Sequence, residues 1–253
     1  MHARFTGQTV LVTGGGSSPI GQTAALAFAR EGARVVVAGR TPEPLAHTTE
    51  LVRAEGGEAT AVTADVTKGE DVARLVAETV TRYGGLDIAF NNAGILATPG
   101  TLAELDEEAL STAWVNPTGT WLAMKHQVAH MRAHGGGTII NMASTIGAHM
   151  TIPGMGAYAA GKAAVSALTR TAAQEYIDEG VRINSVSPGP VDTWMSRMPG
   201  ENDADRDERM RDALPIGRVA STEEIAAAVL WLASPESGFA VGLDLVLDGG
   251  ATA

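Results

Sequence analysis

Short apolar runs rich in β-branched residues alternate along the chain with longer stretches in which apolar positions recur every three or four residues. Thr9 to Thr13 is the first such run, followed by a helical stretch near Ile20 to Glu31 and by Val35 to Ala38, a β-α-β order. Further strands are predicted at Ala59 to Thr63, Leu86 to Phe90, Thr138 to Met142, Arg182 to Ser187 and Leu243 to Leu247. Helices are predicted at Val72 to Tyr83, Glu104 to Arg132, Ala157 to Glu179 and Glu223 to Ala233. Strands that are apolar along most of their length belong in a parallel sheet covered on both faces. The expected fold is therefore α/β, a doubly wound, Rossmann-type, seven-stranded parallel sheet in a single domain. Gly32, Gly56, Gly84 and Gly180 each follow a helical pattern, where a left-handed C-terminal cap favours glycine. The rhythm breaks from Pro190 to about Pro215, which holds Pro199, Gly200 and a charge-rich run from Glu201 to Asp212 but no strand. An insertion placed after a strand lies at the ligand crevice of such a sheet, so residues 190–215 are expected to form a mobile substrate lid.

With 253 residues, 45% of them hydrophobic, the chain can bury one large core. A formal charge of −11 argues against a nucleic-acid partner, which needs clustered Lys and Arg to displace counterions from phosphates. The absence of cysteine excludes disulfides, thiolate catalysis and thiolate-bound metals, and fits a reducing compartment. The six histidines show no H-E-x-x-H or comparable spacing, so no metal site is expected. Met1 to Thr6 is short and polar, and the apolar run after it ends in glycines, unlike a cleavable leader. No apolar stretch approaches the ~20 residues that span a bilayer. A soluble, cytoplasmic protein with no membrane partner is expected.

Between the first strand and the first helix lies Thr13-Gly14-Gly15-Gly16-Ser17-Ser18-Pro19-Ile20-Gly21. Such a turn brings backbone amides and a helix N-terminus against a pyrophosphate, and Gly14, Gly16, Ser17, Ser18 and Ile20 are the candidate donors. Pro19 supplies no N–H, yet its fixed φ suits the first helical position. The second strand ends Ala38-Gly39-Arg40 without the carboxylate that would bond adenosine ribose hydroxyls. Arg40 and Thr41 can instead receive a 2′-phosphate, which favours NADP(H) over NAD(H). Asp65 and Val66, after the third strand, are candidates for the adenine site; a helix-capping role for Asp65 is the alternative.

Tyr158-Ala-Ala-Gly-Lys162 places a phenol and an ammonium on one helical face. A phenol with pKa ~10 is a poor acid–base catalyst at neutral pH, and a nearby cation is expected to lower that value. Ser144 follows a strand at its carboxyl end, where a hydroxyl reaches a substrate oxygen, and Asn116 lies within the long fourth helical stretch.

These residues, together with Asn91-Asn92-Ala93-Gly94 and Ser187-Pro188-Gly189-Pro190-Val191-Asp192-Thr193, follow one another in an order and spacing that resembles the short-chain dehydrogenase/reductase family over nearly the whole chain. The resemblance implies that Tyr158 exchanges a proton with the substrate oxygen, Lys162 lowers its pKa and holds the nicotinamide ribose, and Ser144 orients the carbonyl. It implies that Asn116 positions a water in a proton relay. Asn92, Ala93 and Gly94 would wall the adenosine and the nicotinamide ribose. Pro188, Gly189 and Val191 would line the cofactor, with Thr193 bonding the carboxamide. A homotetramer is also implied. The phosphate turn departs from the family pattern, being one residue longer, with Pro19 at the middle glycine.

The reaction expected is hydride transfer between NADP(H), or NAD(H), and a small or medium-sized apolar secondary alcohol or ketone. Met150, Met155, Trp194, Met195 and Met198 lie in segments that the resemblance puts around such a substrate. A 3-oxoacyl-[acyl-carrier-protein] reductase is the alternative, with Arg132 and Arg170 as its basic contacts, though Gly135-Gly136-Gly137 and Asp178-Glu179 stand where basic residues would meet an acidic carrier. A non-catalytic NADP-sensing protein on the same fold is the alternative of another class.

Overall fold

The computed structural model describes residues 3–253, so Met1 and His2 of the polar start lie outside the described residues. Seven strands form one parallel sheet: β1 (Thr9–Thr13), β2 (Arg34–Gly39), β3 (Glu58–Thr63), β4 (Ile88–Asn91), β5 (Gly137–Met142), β6 (Val181–Pro188) and β7 (Asp244–Leu247). Their order is β3-β2-β1-β4-β5-β6-β7, so the winding reverses between β1 and β4. Helices α1 (Pro19–Arg30), α2 (Pro42–Ala54), α3 (Gly69–Tyr83), α4 (Glu107–Met131), the single turn α5 (Thr145–Ala148), α6 (Gly156–Tyr176), α7 (Asp203–Ala213) and α8 (Thr222–Ala233) complete the chain.

Both faces of the sheet are covered, which is why its central strands read as continuous apolar runs. Val10 and Val12 point to a core shared with Phe28 of α1, Leu45 of α2 and Ile225 and Leu230 of α8. Leu11 points the other way, to Leu75 of α3, Met124 and Met131 of α4 and Ala173 of α6. Gly32, Gly56, Gly84 and Gly180 all carry the positive φ expected of helix ends. Helix α2 and the single turn α5 have no counterpart among the elements predicted from sequence, and the charge-rich stretch after Pro190 contains the helix α7. His126 and His130 of α4 and His134 in the turn just beyond it recur every four residues, and the last two rings stack with centroids 4.1 Å apart. Among the described residues, no helix is long and apolar enough to cross a membrane.

Helices α4 and α6 meet unusually closely. Pro117, inside α4, withholds the N–H that would bond the Ala113 carbonyl. Gly161 of α6 sits against that carbonyl, where an added Cβ would come within 2.7 Å of the oxygen. A buried chain of amides fastens both helices to the sheet. Gln127 of α4 exchanges hydrogen bonds with Asn91 of β4, at 2.8 and 2.9 Å; Asn91 donates to Asn141 of β5, and Asn141 to Thr169 of α6, each at 2.9 Å. Each member is satisfied, so the network orders the carboxyl half of the sheet without an unpaired polar group.

Candidate active site

At the winding reversal the chain leaves β1 through Gly14, whose φ of +68° suits glycine. A Cβ on Gly21 would stand 2.3 Å from the Gly14 carbonyl oxygen, so α1 folds onto the turn only because residue 21 is glycine. Asn92 clamps the turn by donating to the Thr13 and Gly14 carbonyls at 3.2 and 3.3 Å, and the Ala93 amide donates to the Thr13 hydroxyl at 3.2 Å. Ser18 caps α1 by accepting from the Gly21 amide at 3.4 Å, and Pro19 opens the helix, where a missing N–H breaks no bond. The amides of Gly16, Ser17 and Ile20 find no acceptor among the described residues. Free N–H groups at the positive end of a helix fit a pyrophosphate, and the proline leaves them in place.

Beyond β2, Arg40 is exposed and Thr41 begins α2 with a hydroxyl that makes no capping bond. Asp65 forms a local turn, accepting from the Thr67 amide and hydroxyl at 3.0 and 2.8 Å, while the residue that starts α3 is Lys68. Burial pushes the Asp65 carboxyl up, but the Thr67 bonds and the nearby Arg40 charge outweigh it and hold the group below its ordinary range. Val66 packs toward α4, where a Cβ on Gly119 would lie 2.8 Å from its Cγ2.

Ser144, at the end of β5, starts α5 by accepting from the Ile146 amide at 3.2 Å. Tyr158 and Lys162 stand one turn apart near the start of α6, with the Lys162 Nζ 5.9 Å from the centroid of the phenol ring. Lys162 is only 5% exposed and donates to the Met142 carbonyl at 2.8 Å. Burial pulls its ammonium down from 10.5 to about 8. The phenol behaves differently from the sequence expectation. Burial holds it above its ordinary value, and the Ser144 hydroxyl offsets this only in part. The ammonium points its bond at Met142 rather than at the phenol oxygen, so the cation's pull does not set the direction in this arrangement. A phenol that stays protonated at neutral pH is a ready proton donor.

Asn116 spends both ends of its side-chain amide on Ile95, accepting from its amide at 2.9 Å and donating to its carbonyl at 3.0 Å. It thereby holds the Gly94-Ile95 backbone against α4. Gly94 separates Asn116 from Lys162: a Cβ there would lie 2.8 Å from Asn116 Oδ1 and 3.6 Å from Lys162 Nζ.

Pro188, the last residue of β6, and Gly189 after it run beside the end of β7, and a Cβ on Gly189 would approach the Asp248 Cα to 2.9 Å. Val191 is buried and bridges Ala220, and the Thr193 hydroxyl makes no capping bond to the short 3₁₀ turn Trp194–Ser196. Two arginines of α7, not anticipated from sequence, fasten this segment. Arg206, 3% exposed, donates to Asp192 at 2.6 Å and to Asp207. Arg209 grips Glu201 with two bonds, at 2.6 and 2.7 Å, and donates to the Ser196 carbonyl at 2.9 Å. These bonds draw the Glu201 carboxyl down to about 2.

The family described as "Enoyl-(Acyl carrier protein) reductase" matches residues 6–252. A solved structure of a short-chain type dehydrogenase/reductase from Mycobacterium marinum superimposes with a TM-score of 0.91 at 34% identity, covering 99% of this chain and 98% of that one. The chain belongs to the short-chain dehydrogenase/reductase family. Among its curated relatives, a 2,5-dichloro-2,5-cyclohexadiene-1,4-diol dehydrogenase of Sphingobium indicum is 40% identical over 251 residues, 98% of each chain. A cyclohexanol dehydrogenase of Acinetobacter sp. (strain SE19) is 37% identical over 254 residues, covering 100% of this chain and 98% of that protein. This short-chain dehydrogenase/reductase is a nicotinamide-dependent oxidoreductase that acts on CH–OH groups.

Proposed function

We propose that the enzyme interconverts a cyclic, apolar secondary alcohol and its ketone with NADP(H). The observation that carries the reading is the Lys162 Nζ lying 5.9 Å from the Tyr158 ring centroid, with Ser144 at the phenol. When bound, the nicotinamide supplies or accepts the hydride. Ser144 orients the carbonyl by donating to its oxygen, and Tyr158 delivers the proton to that oxygen; in the oxidative direction Tyr158 receives it. Lys162 holds the nicotinamide ribose and stabilises phenolate once it forms. Asn116 supports this pair by fixing the Gly94 backbone beside Lys162.

Gly14, Gly16, Ser17, Ser18 and Ile20 hold the pyrophosphate. Arg40 and the free Thr41 hydroxyl take the 2′-phosphate, which is the reason to favour NADP(H) over NAD(H). Asp65 and Val66 border the adenine, Asn92, Ala93 and Gly94 the riboses, and Pro188, Gly189, Val191 and Thr193 the nicotinamide. Residues 190–215 form the substrate lid. The exposed apolar side chains of Ile152, Trp194, Met195 and Met198 offer walls for a ring, in keeping with the cyclohexanol-type names of the relatives. A carrier-protein substrate is disfavoured because Arg132 is already paired with Glu179. Exposed Trp114 and Trp121 on α4, and Phe239 and Val241 near the carboxyl terminus, suit the faces of a homotetramer.

A panel of cyclic and linear alcohols and ketones, with a carrier-bound 3-oxoacyl thioester, followed at the nicotinamide absorbance band with both cofactors, tests the reading. The highest kcat/KM is expected for cyclic substrates with NADP(H). Preference for the thioester would overturn the substrate class. Tight nucleotide binding without turnover of any compound would instead favour a nucleotide sensor.

A further inference from the structure

The mechanism above makes no use of Asp244, the first residue of β7, whose side chain is 7% exposed. Its Oδ1 accepts from the Ser187 hydroxyl at 2.6 Å; its Oδ2 accepts from the Ser166 hydroxyl at 2.7 Å and lies 3.0 Å from His149 Nε2. Burial pushes this carboxyl up, but the bonds from Ser187, Ser166 and His149 outweigh it and hold the group ionised, below its ordinary range.

Each of the three donors belongs to a different part of the active site. Ser187 immediately precedes Pro188 on β6, where the chain turns toward the cofactor side. Ser166 is one turn beyond Lys162, on the same face of α6. His149 ends the α5 turn that Ser144 begins. A carboxylate suits this junction, since its two oxygens offer about four acceptor positions and it donates nothing.

We infer that Asp244 is a positioning residue: one buried carboxylate sets the relative placement of the Ser144 segment, the Tyr158 and Lys162 helix and the cofactor-facing end of β6. This rests on the oxidoreductase reading given above. Reacting groups tolerate little displacement, and a shift of about 1 Å can lower a rate ~100-fold, so the junction has leverage on turnover without touching substrate.

The test compares Asp244→Asn, Ser166→Ala and Ser187→Ala with the wild type, using the full chain at a temperature well below each Tm. NADPH binding is measured by quenching of tryptophan fluorescence, and kcat and KM by turnover of the best ketone of the panel. Asp244→Asn keeps the shape but replaces one acceptor oxygen with a donor, and its kcat is expected to fall ~10-fold or more. Ser166→Ala should lower kcat with the NADPH Kd within about twofold of wild type, whereas Ser187→Ala should act mainly on the NADPH Kd and KM. The Asp244→Asn and Ser166→Ala losses should not add in the double variant, because they break the same junction. Values of kcat within about twofold of wild type for both Asp244→Asn and Ser166→Ala, or fully additive losses, would overturn the proposal. So would a loss explained entirely by a smaller folded fraction. A wild-type protein that binds NADPH but turns over no substrate would sink the oxidoreductase reading alone, and the junction would then be judged by whether Ser187→Ala and Asp244→Asn weaken NADPH binding.

Discussion

Replacing Lys162 with Met should make the cofactor-free enzyme more stable while removing its activity. The ammonium is buried, and its fall from 10.5 to about 8 corresponds to about 3 kcal/mol of unfavourable charge burial. Because the folded value is the lower one, the unfolded chain binds more protons between about 8 and 10.5. Stability therefore rises with pH through that window, and the full penalty is present below it. Methionine fills nearly the same volume without charge, but it also deletes the bond to the Met142 carbonyl, a loss of about 1–2 kcal/mol. The net gain at pH 7 is about 1–2 kcal/mol, or roughly 2–6 °C in Tm for a chain of this size. At pH 10 most of the advantage should be gone, because wild-type Lys162 is then neutral in the fold. Differential scanning calorimetry of both proteins at pH 7 and pH 10, at one protein concentration and without cofactor, measures the difference. Ketone turnover should drop by a factor of about 100 or more. A variant no more stable than wild type at pH 7, or one whose advantage is the same at both pH values, would refute the reasoning.

Tyr158→Phe should retain cofactor binding and lose turnover by a factor of about 100 or more, and near-normal kcat would remove its proton-transfer role. Because burial holds the phenol above its ordinary value, the wild type should oxidise alcohols faster as pH rises, while ketone reduction stays level through neutrality and falls in alkali; a pH–rate profile with the opposite trends would contradict this. Arg40→Ala should weaken NADPH more than NADH, as read by fluorescence titration, and equal losses would end the case for the 2′-phosphate. Gly161→Ala gains about 1 kcal/mol of helix propensity in open surroundings, but the Ala113 carbonyl 2.7 Å from the new Cβ should turn this into a net loss of about 1–2 kcal/mol, measurable as a lower Tm.

Much of the sheet is readable along the chain because its central strands are buried on both faces. Their apolar runs end within a residue or two of the observed boundaries; β4, predicted from Leu86, begins at Ile88, and β7, predicted from Leu243, begins at Asp244. Helix α2 escapes notice because its buried face is Leu45, Thr48, Thr49 and Val52, half of it hydroxyl-bearing, and because Pro42 and Pro44 open it. Helix α7 hides in a run of charge that normally marks a solvated surface, yet Arg206 within it is buried under a carboxylate from another segment. Tyr158 and Lys162 are visible since a spacing of four is a local property of a helix. Asp244 is not, as its partners stand 57, 78 and 95 residues away and only the folded sheet brings them together. The direction of the Tyr158 shift was equally out of reach, being decided by how deeply the phenol is buried and by which acceptor Lys162 chooses.

The fastening of α7 by Arg206 and Arg209 has a consequence for redesign. Those arginines tie Asp192 to α7 by an ion pair and the Trp194–Ser196 turn by a hydrogen bond to the Ser196 carbonyl, whereas Ser144 and α6 are anchored through the sheet. On the function proposed above, substrate acceptance and proton transfer would thus hang from separate supports. Libraries confined to residues 194–198 should broaden or switch the range of alcohols while leaving the proton-transfer frame untouched, which makes that short stretch the economical place to begin evolving a new biocatalyst from this scaffold.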